Sequence, residues 1–212
     1  MSVVGLTSKP SFDWNQEQEW ERQWHSNCVN TINEERKQLV YANKMGLGLC
    51  HNDKTPYNID MNGSSVIDIG GGPVSLLLKC SNVKGTVIDP CNYPDWVLQR
   101  YKEAGIAYFK IKGEELNKSG SNEKDPWDEA WIYNCLQHTI DPAKILINAK
   151  NSAKIIRIFE WLDTELIDGH PHAFTEAFFT DTLGPGAYSV EILGDEGCYG
   201  KCIAGIWKGS NW

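Results

Sequence analysis

The sequence lacks any apolar run near the ~20 residues that span a bilayer. Its apolar stretches, such as Val74 to Leu78, are short and interrupted by serine. No basic segment leads into an apolar one at its start, so no secretory leader is expected. There is no CxxC pair. The seven cysteines, Cys28, Cys50, Cys80, Cys91, Cys135, Cys198 and Cys202, are odd in number, and the closest two are wrongly spaced for a zinc knuckle. The expectation is reduced thiols, a cytoplasmic setting and no metal. Positive charge is scarce: 20 Lys and Arg face 28 Asp and Glu, a formal net charge of −8. That balance argues against nucleic-acid partners, whose phosphates are met by Lys and Arg. No repeat or low-complexity tract is visible.

What is present has a globular balance, with 41% hydrophobic and 23% charged residues, enough for one domain with an added segment. After an irregular arm up to about Phe12, residues 13–45 carry Trp20, Trp24, Cys28, Val29 and Ile32 at helical spacing. A second stretch runs from Glu34 to Met45, where Gly46 and Gly48 end it. The N-terminal fifth thus reads as one or two amphipathic helices. From residue 63 the texture changes. Strands are expected at Ser64–Ile69, Gly85–Asp89, Ile106–Lys112, Glu129–Asn134 and Lys154–Phe159, and helices at Val74–Cys80, Trp96–Ala104, Pro142–Ser152 and Ala173–Leu183. Two strands close the chain, Tyr188–Leu193 and Lys201–Trp207, joined through residues 194–197. Strands alternating with helices imply right-handed βαβ crossovers. The fold class is therefore α/β, a Rossmann-like doubly wound sheet, mostly parallel, with one antiparallel strand in a C-terminal hairpin and an N-terminal helical cap.

The segment richest in chemistry is Val66-Ile67-Asp68-Ile69-Gly70-Gly71-Gly72-Pro73. A strand enters a glycine turn, where backbone can approach a ligand closely. A dinucleotide fingerprint G-x-G-x-x-G would place Ser75 at its last position. Asp68, two residues before the first glycine, would repel a pyrophosphate and would welcome a ligand ammonium. Asp89 ends the next strand, where a carboxylate can accept two hydrogen bonds from a vicinal diol. A dinucleotide protein would place an acid there too.

On these residues the chain resembles the class I S-adenosylmethionine-dependent methyltransferases. Asp68-Ile69-Gly70-Gly71-Gly72 is similar to their first motif, D/E-x-G-x-G, and departs from it at Val74, where a further glycine is usual. Asp128 to Pro142 resembles the family's fourth-strand region, and residues 60–208 are covered in all. The resemblance implies that Asp68, Gly70, Gly71 and Gly72 hold S-adenosyl-L-methionine, and that Asp89, followed by Pro90, takes the ribose hydroxyls. It places the adenine amino group at Glu114, with Glu115 or the backbone near Gly113 as competitors, and sets Asn134 and Cys135 beside the methionine part. Residues 1–58 would be the arm and helical cap, and 59–212 the methyltransferase core.

The expected reaction is methyl transfer to O or N of a small molecule or sugar. Gln137 and His138 would face the substrate, with His138 the candidate base, followed by His25, His170 and His172. The pair around Pro171 could instead cap the last helix. Trp20 and Trp24, with Trp14 and Tyr41, would form an aromatic wall or simply bury the cap. His172 is carried as a substrate contact. An apolar exposed cap would favour a homodimer. Two other readings stand beside this one: an NAD-dependent oxidoreductase, and an S-adenosylmethionine-binding protein that does not methylate.

Overall fold

The computed structural model describes residues 3–49, 58–116, 126–195 and 197–210. Cys50, Glu196 and the side chain of Cys28 lie outside the described residues. In chain order the elements are β1 (Leu6–Ser8), α1 (Trp14–Ser26), α2 (Cys28–Lys44), β2 (Ile59–Asp60), β3 (Ser65–Ile69), β4 (Cys80–Ser81), β5 (Lys84–Ile88), α3 (Asp95–Glu103), β6 (Ala107–Phe109), β7 (Trp127–Tyr133), α4 (Pro142–Ser152), β8 (Ala153–Trp161), β9 (His172–Phe174), α5 (Glu176–Leu183), β10 (Gly186–Asp195) and β11 (Cys198–Lys208).

The main sheet has seven strands in the order β10-β11-β8-β7-β3-β5-β6. The five from β8 to β6 are parallel, and β11 alone runs against them, inserted between β8 and β10. Alternate residues feed opposite layers, as the two-residue period of a strand requires. Ile67, Ile69, Ala130, Ile132, Ile156 and Ile158 share one apolar cluster with Leu146 of α4 and Phe178 of α5. Val66, Val87, Trp131, Tyr133 and Phe159 share the other with Tyr41 and Met45 at the end of α2 and Tyr101 of α3. The chain winds from β3 outward to β6, then returns to the other side of β3 with β7. This reversal opens a crevice beyond the carboxyl ends of β3 and β7.

Local signals explain the helix ends. Asp13 caps α1 at Asn15 N, Asn27 both ends α1 and caps α2, and Asp141 with Pro142 starts α4. Several expectations need correction. Val74–Cys80 is not a helix but two 3₁₀ turns, Gly72–Val74 and Leu76–Lys79, followed by β4. Ser75 separates the turns with an extended backbone (ψ 141°), because its side chain donates to Asp68 and caps Leu77 N. The expected helix from Ala173 starts only at Glu176. His172–Phe174 is instead paired antiparallel with Leu6–Ser8, part of the arm expected to be irregular. Neither partner of that pairing signals the other locally. The third parallel strand shortens to Ala107–Phe109, at the sheet edge.

Leu146 and Ile147 are neighbours on α4, the first fully buried and the second 48% exposed. Leu146→Ala should cost about 2–5 kcal/mol of unfolding free energy, and Ile147→Ala no more than about 0.5 kcal/mol. Urea denaturation of both variants checks this; equal losses would contradict the layer assignment.

Candidate functional site

The crevice holds a cleft of about 790 Å³. Its floor is made where the parallel strands end: Gly70–Gly72 after β3, Asp89 and Pro90 after β5, and Asn134 and Cys135 after β7. Gly70 has φ +75°, and a Cβ there would fall 2.7 Å from that of Cys135. A side chain is therefore excluded and the two turns lie against each other. Asn134 also has a positive φ, 50°, a conformation that Asn tolerates better than most side chains. Its Nδ2 donates to Glu34 Oε1 at 3.1 Å.

Asp68 does not reach the cleft. It is wholly buried beneath the glycine turn, where a Cβ on Gly71 would sit 2.7 Å from its Oδ2. Ser75 and Tyr133 hydroxyls both donate to that oxygen. Burial pushes the carboxyl up to about 7, against the pull of those two bonds. The expected contact between Asp68 and a ligand ammonium is thus corrected: the carboxylate facing the cleft beside this turn is Glu34. Lys37, one helical turn on, also lines the cleft, 3.6 Å from Glu34.

Asp89 does line the cleft. Its Oδ2 accepts from Gly72 N at 3.1 Å and its Oδ1 from Cys91 N at 2.9 Å, which fixes the carboxylate and leaves each oxygen a further lone pair. Burial raises its pKa. Gly113 and Glu114 border the same end. Glu114 Oε1 accepts from Ile140 and Asp141 N–H, so it ties down the turn before α4, whereas Glu115 is exposed and outside the lining.

α1 forms the roof. At one end the Lys112 ammonium stands over the Trp14 ring at 4.8 Å, and Cys91 Sγ lies 3.1 Å from Gln18 Oε1. At the other, Gly169 N donates to Glu17, and Trp20 packs on Gly169, where a Cβ would come within 2.6 Å of its ring. Trp24 stacks on Trp20 with centroids 5.5 Å apart. Trp20 is therefore clasped, and Trp24 is the more exposed of the pair.

Under the roof, His138 Nδ1 meets the Gly169 carbonyl and lies 2.8 Å from Glu21 Oε1. Burial pushes this imidazole down, but the Glu21 carboxylate outweighs burial and raises it to about 9. Burial pushes Glu21 up, and the positive His138 more than reverses that, holding it well below the usual carboxylate range. The Glu21 carboxylate thus favours a protonated His138, which speaks against its expected role as a base. His170, with its ring 4.8 Å from that of His138, is held down to about 4 by burial and by the His138 charge, so it is neutral. His172 lies outside the lining. Its Nδ1 meets Ser8 Oγ and its Nε2 the Thr139 carbonyl, so it joins the arm to the core instead of contacting a substrate.

Glu160 escaped the sequence reading, although a lone acid in Ile158-Phe159-Glu160-Trp161-Leu162 was a visible signal. It is fully buried, and its Oε1 accepts from Cys135 and Leu136 N–H at 2.7 and 2.8 Å, shaping the turn after β7. Burial raises it to about 7. Glu21, Glu34 and Lys37 were missed as well, because on sequence they belong to a solvated helix face. Among the described residues no cluster of metal-ligating side chains occurs, and Cys80, Cys91, Cys135 and Cys202 are free thiols. No described helix is long and apolar enough to cross a membrane.

No family model matches the chain, and neither does any curated protein. Solved structures do. A Burkholderia thailandensis 1,6-didemethyltoxoflavin-N1-methyltransferase, with bound 1,6-didemethyltoxoflavin and S-adenosylhomocysteine, matches at TM-score 0.61 and 13% identity, over 96% of this chain and 94% of that one. The N-methyltransferase NodS of Bradyrhizobium japonicum, in complex with S-adenosylhomocysteine, matches at 0.61 and 11%, over 92% and 100%. A Thermotoga maritima S-adenosylmethionine-dependent methyltransferase, described as a possible histamine N-methyltransferase, matches at 0.61 and 10%, over 92% and 98%. The fold is that of the class I methyltransferases. In this methyltransferase fold the strand ends that carry Gly70–Gly72, Asp89 and Asn134 meet at one crevice.

The Glu21–His138 pair makes the roof sensitive to pH. Folded His138 holds its proton up to about pH 9, whereas an unperturbed imidazole loses it near 6.5. Stability should therefore fall as pH rises through that window. The urea midpoint of wild type should decline from pH 7 to 9, and that of His138→Gln should decline less; parallel curves would remove the pair from this account.

Proposed function

We propose that the protein is an S-adenosylmethionine-dependent methyltransferase acting on O or N of a small molecule or sugar. The observation that carries this reading is the pairing of Asp89 with a glycine turn that runs into 3₁₀ turns in place of the helix whose N-terminus receives a pyrophosphate. No arginine lines the cleft among the described residues, and its two lysines each stand beside a carboxylate, Lys37 by Glu34 and Lys201 by Asp163. A dinucleotide would leave its phosphates unmatched there. A nucleoside sulfonium brings a diol, a positive charge and no phosphate, and these residues fit it. Cradling the backbone falls to Gly70, Gly71 and Gly72, the ribose to Asp89, and the adenine end to Pro90, Gly113 and Glu114. Asn134 and Cys135 border the methionine end, where Glu34 offers a negative charge to the ammonium and Lys37 a positive one to the carboxylate. Asp68 acts from beneath, by holding the turn.

When bound, the cofactor supplies a methyl group on a sulfonium that leaves as a neutral thioether, so the protein's task is mainly positioning and exclusion of water. α1 closes the cleft from above. His138, fixed by Glu21, holds a positive charge beside Gln137. His170 is neutral and lines the same wall, where a ring nitrogen can accept a hydrogen bond from the acceptor. A cytoplasmic location rests on the odd cysteine count without a CxxC pair. A homodimer through exposed Val29 and Ile32 of the cap, and the absence of a nucleic-acid partner, rest on that surface and on the acidic balance. Residues 1–58 are taken as arm and cap, and 59–212 as the core.

Calorimetric titration tests the reading. S-adenosylmethionine and S-adenosylhomocysteine should bind in the micromolar range and NAD should not. Asp89→Ala should weaken binding about 10- to 100-fold, the loss of a charged, two-point hydrogen bond. Heat from NAD alone, or from none of the three, would overturn it.

A further inference from the structure

Resting on the reading of the cleft as a cofactor-and-acceptor site, we infer that the acceptor is an uncharged, hydroxyl-rich ring, a pyranoside or similar polyol, seated against Trp24 beneath α1. Buried polar atoms without a protein partner gather on this wall. They are His25 Nδ1 from α1, Gln137 Oε1 from the turn after β7, and Thr164 Oγ1 from the segment between β8 and β9. Gln137 is only 2% exposed. Buried polar groups are normally satisfied, so atoms converging on one cavity from three elements point to a ligand with polar groups around its rim. A hydroxyl both donates and accepts, so it suits this mixed set. Gln137 Nε2 reaches Asn134 Oδ1 and His138 Nε2 at 3.3 Å each, which leaves its Oε1 for a ligand hydroxyl.

Charge narrows the class. An anionic acceptor would need an arginine or an uncommitted lysine, and the described lining supplies neither. A cationic amine would meet Glu21, but that carboxylate is already matched by the imidazolium of His138 and has His25 at 3.5 Å on its other oxygen. Glu165 is exposed. The indole geometry narrows it further. Trp20 stacks on one face of Trp24, so the indole offers a ligand its other face. A flat aromatic is usually gripped on both faces, whereas a sugar ring lays one C–H face on an indole and presents its hydroxyls sideways.

Saturation-transfer NMR on the full chain with S-adenosylhomocysteine tests this. The probes are methyl α-glucoside, methyl α-mannoside, methyl α-galactoside and methyl α-rhamnoside, against glucose 6-phosphate, tyramine and catechol. The expected result is saturation of at least one methyl glycoside, strongest on one ring face, and at least threefold weaker in Trp24→Ala and, independently, in Gln137→Leu. Signal from glucose 6-phosphate, tyramine or catechol alone overturns the inference, as does an undiminished glycoside signal in both variants. If S-adenosylhomocysteine saturates and no glycoside does, the acceptor class is wrong and the methyltransferase reading survives. If glycosides saturate and S-adenosylhomocysteine does not, the acceptor class stands and the cofactor reading fails.

Discussion

A carboxyl group sealed under a glycine turn organises this protein. Asp68 sits at the centre of the parallel sheet with no exposure to water. A charge there is unfavourable unless hydrogen bonds hold it, and Ser75 and Tyr133 supply them. Those bonds have consequences. Gly71 must be glycine because the carboxylate occupies the space of its Cβ. Ser75 must turn its side chain back, which breaks the following segment into 3₁₀ turns. The Tyr133 hydroxyl also accepts from Leu76 N–H, so β7, the turn and the buried acid are one hydrogen-bonded unit. Glu160 repeats the device one strand away, holding the N–H groups of Cys135 and Leu136. The cleft floor is thus fixed from below by two buried acids, and its upper surface is left to backbone and Asp89.

The roof is built on another principle. Besides the Trp14 and Gln18 contacts near its start, α1 meets the core through charge pairing and close packing around Gly169. Glu17 receives the Gly169 N–H, Trp20 lies on Gly169, Glu21 balances His138, and Lys9 reaches Asp168. Matching these charges removes the strong fields that would attract an ionic ligand, and it leaves directional groups around an indole. The same pairing favours the proton on His138, while burial together with that charge disfavours one on His170.

Much of this was legible in the sequence. The β-branched run before Gly70, the acid at Asp89, the helix Pro142–Ser152 and the closing hairpin are local signals, and each appears where the pattern put it. The arm strand was not legible, since Leu6–Ser8 finds its partner 164 residues away at Ser8 and His172. Glu21, Glu34 and Lys37 looked like a solvated helix face because helical spacing says which residues share a side, not what that side will meet. Asp68 looked like a ligand contact because an acid before a glycine turn can point up or down.

By itself, then, the sequence determined the alternation of strand and helix, hence the doubly wound sheet, and the chemistry available at its strand ends. Periodicity and turn residues act over a few neighbours, and that information is written locally. Only the tertiary structure decided which polar groups are sealed and which face the cleft, and in which protonation state. Those properties depend on burial and on partners such as Tyr133 for Asp68, Glu21 for His138 and Gly169 for Trp20, all brought together by folding from distant parts of the chain.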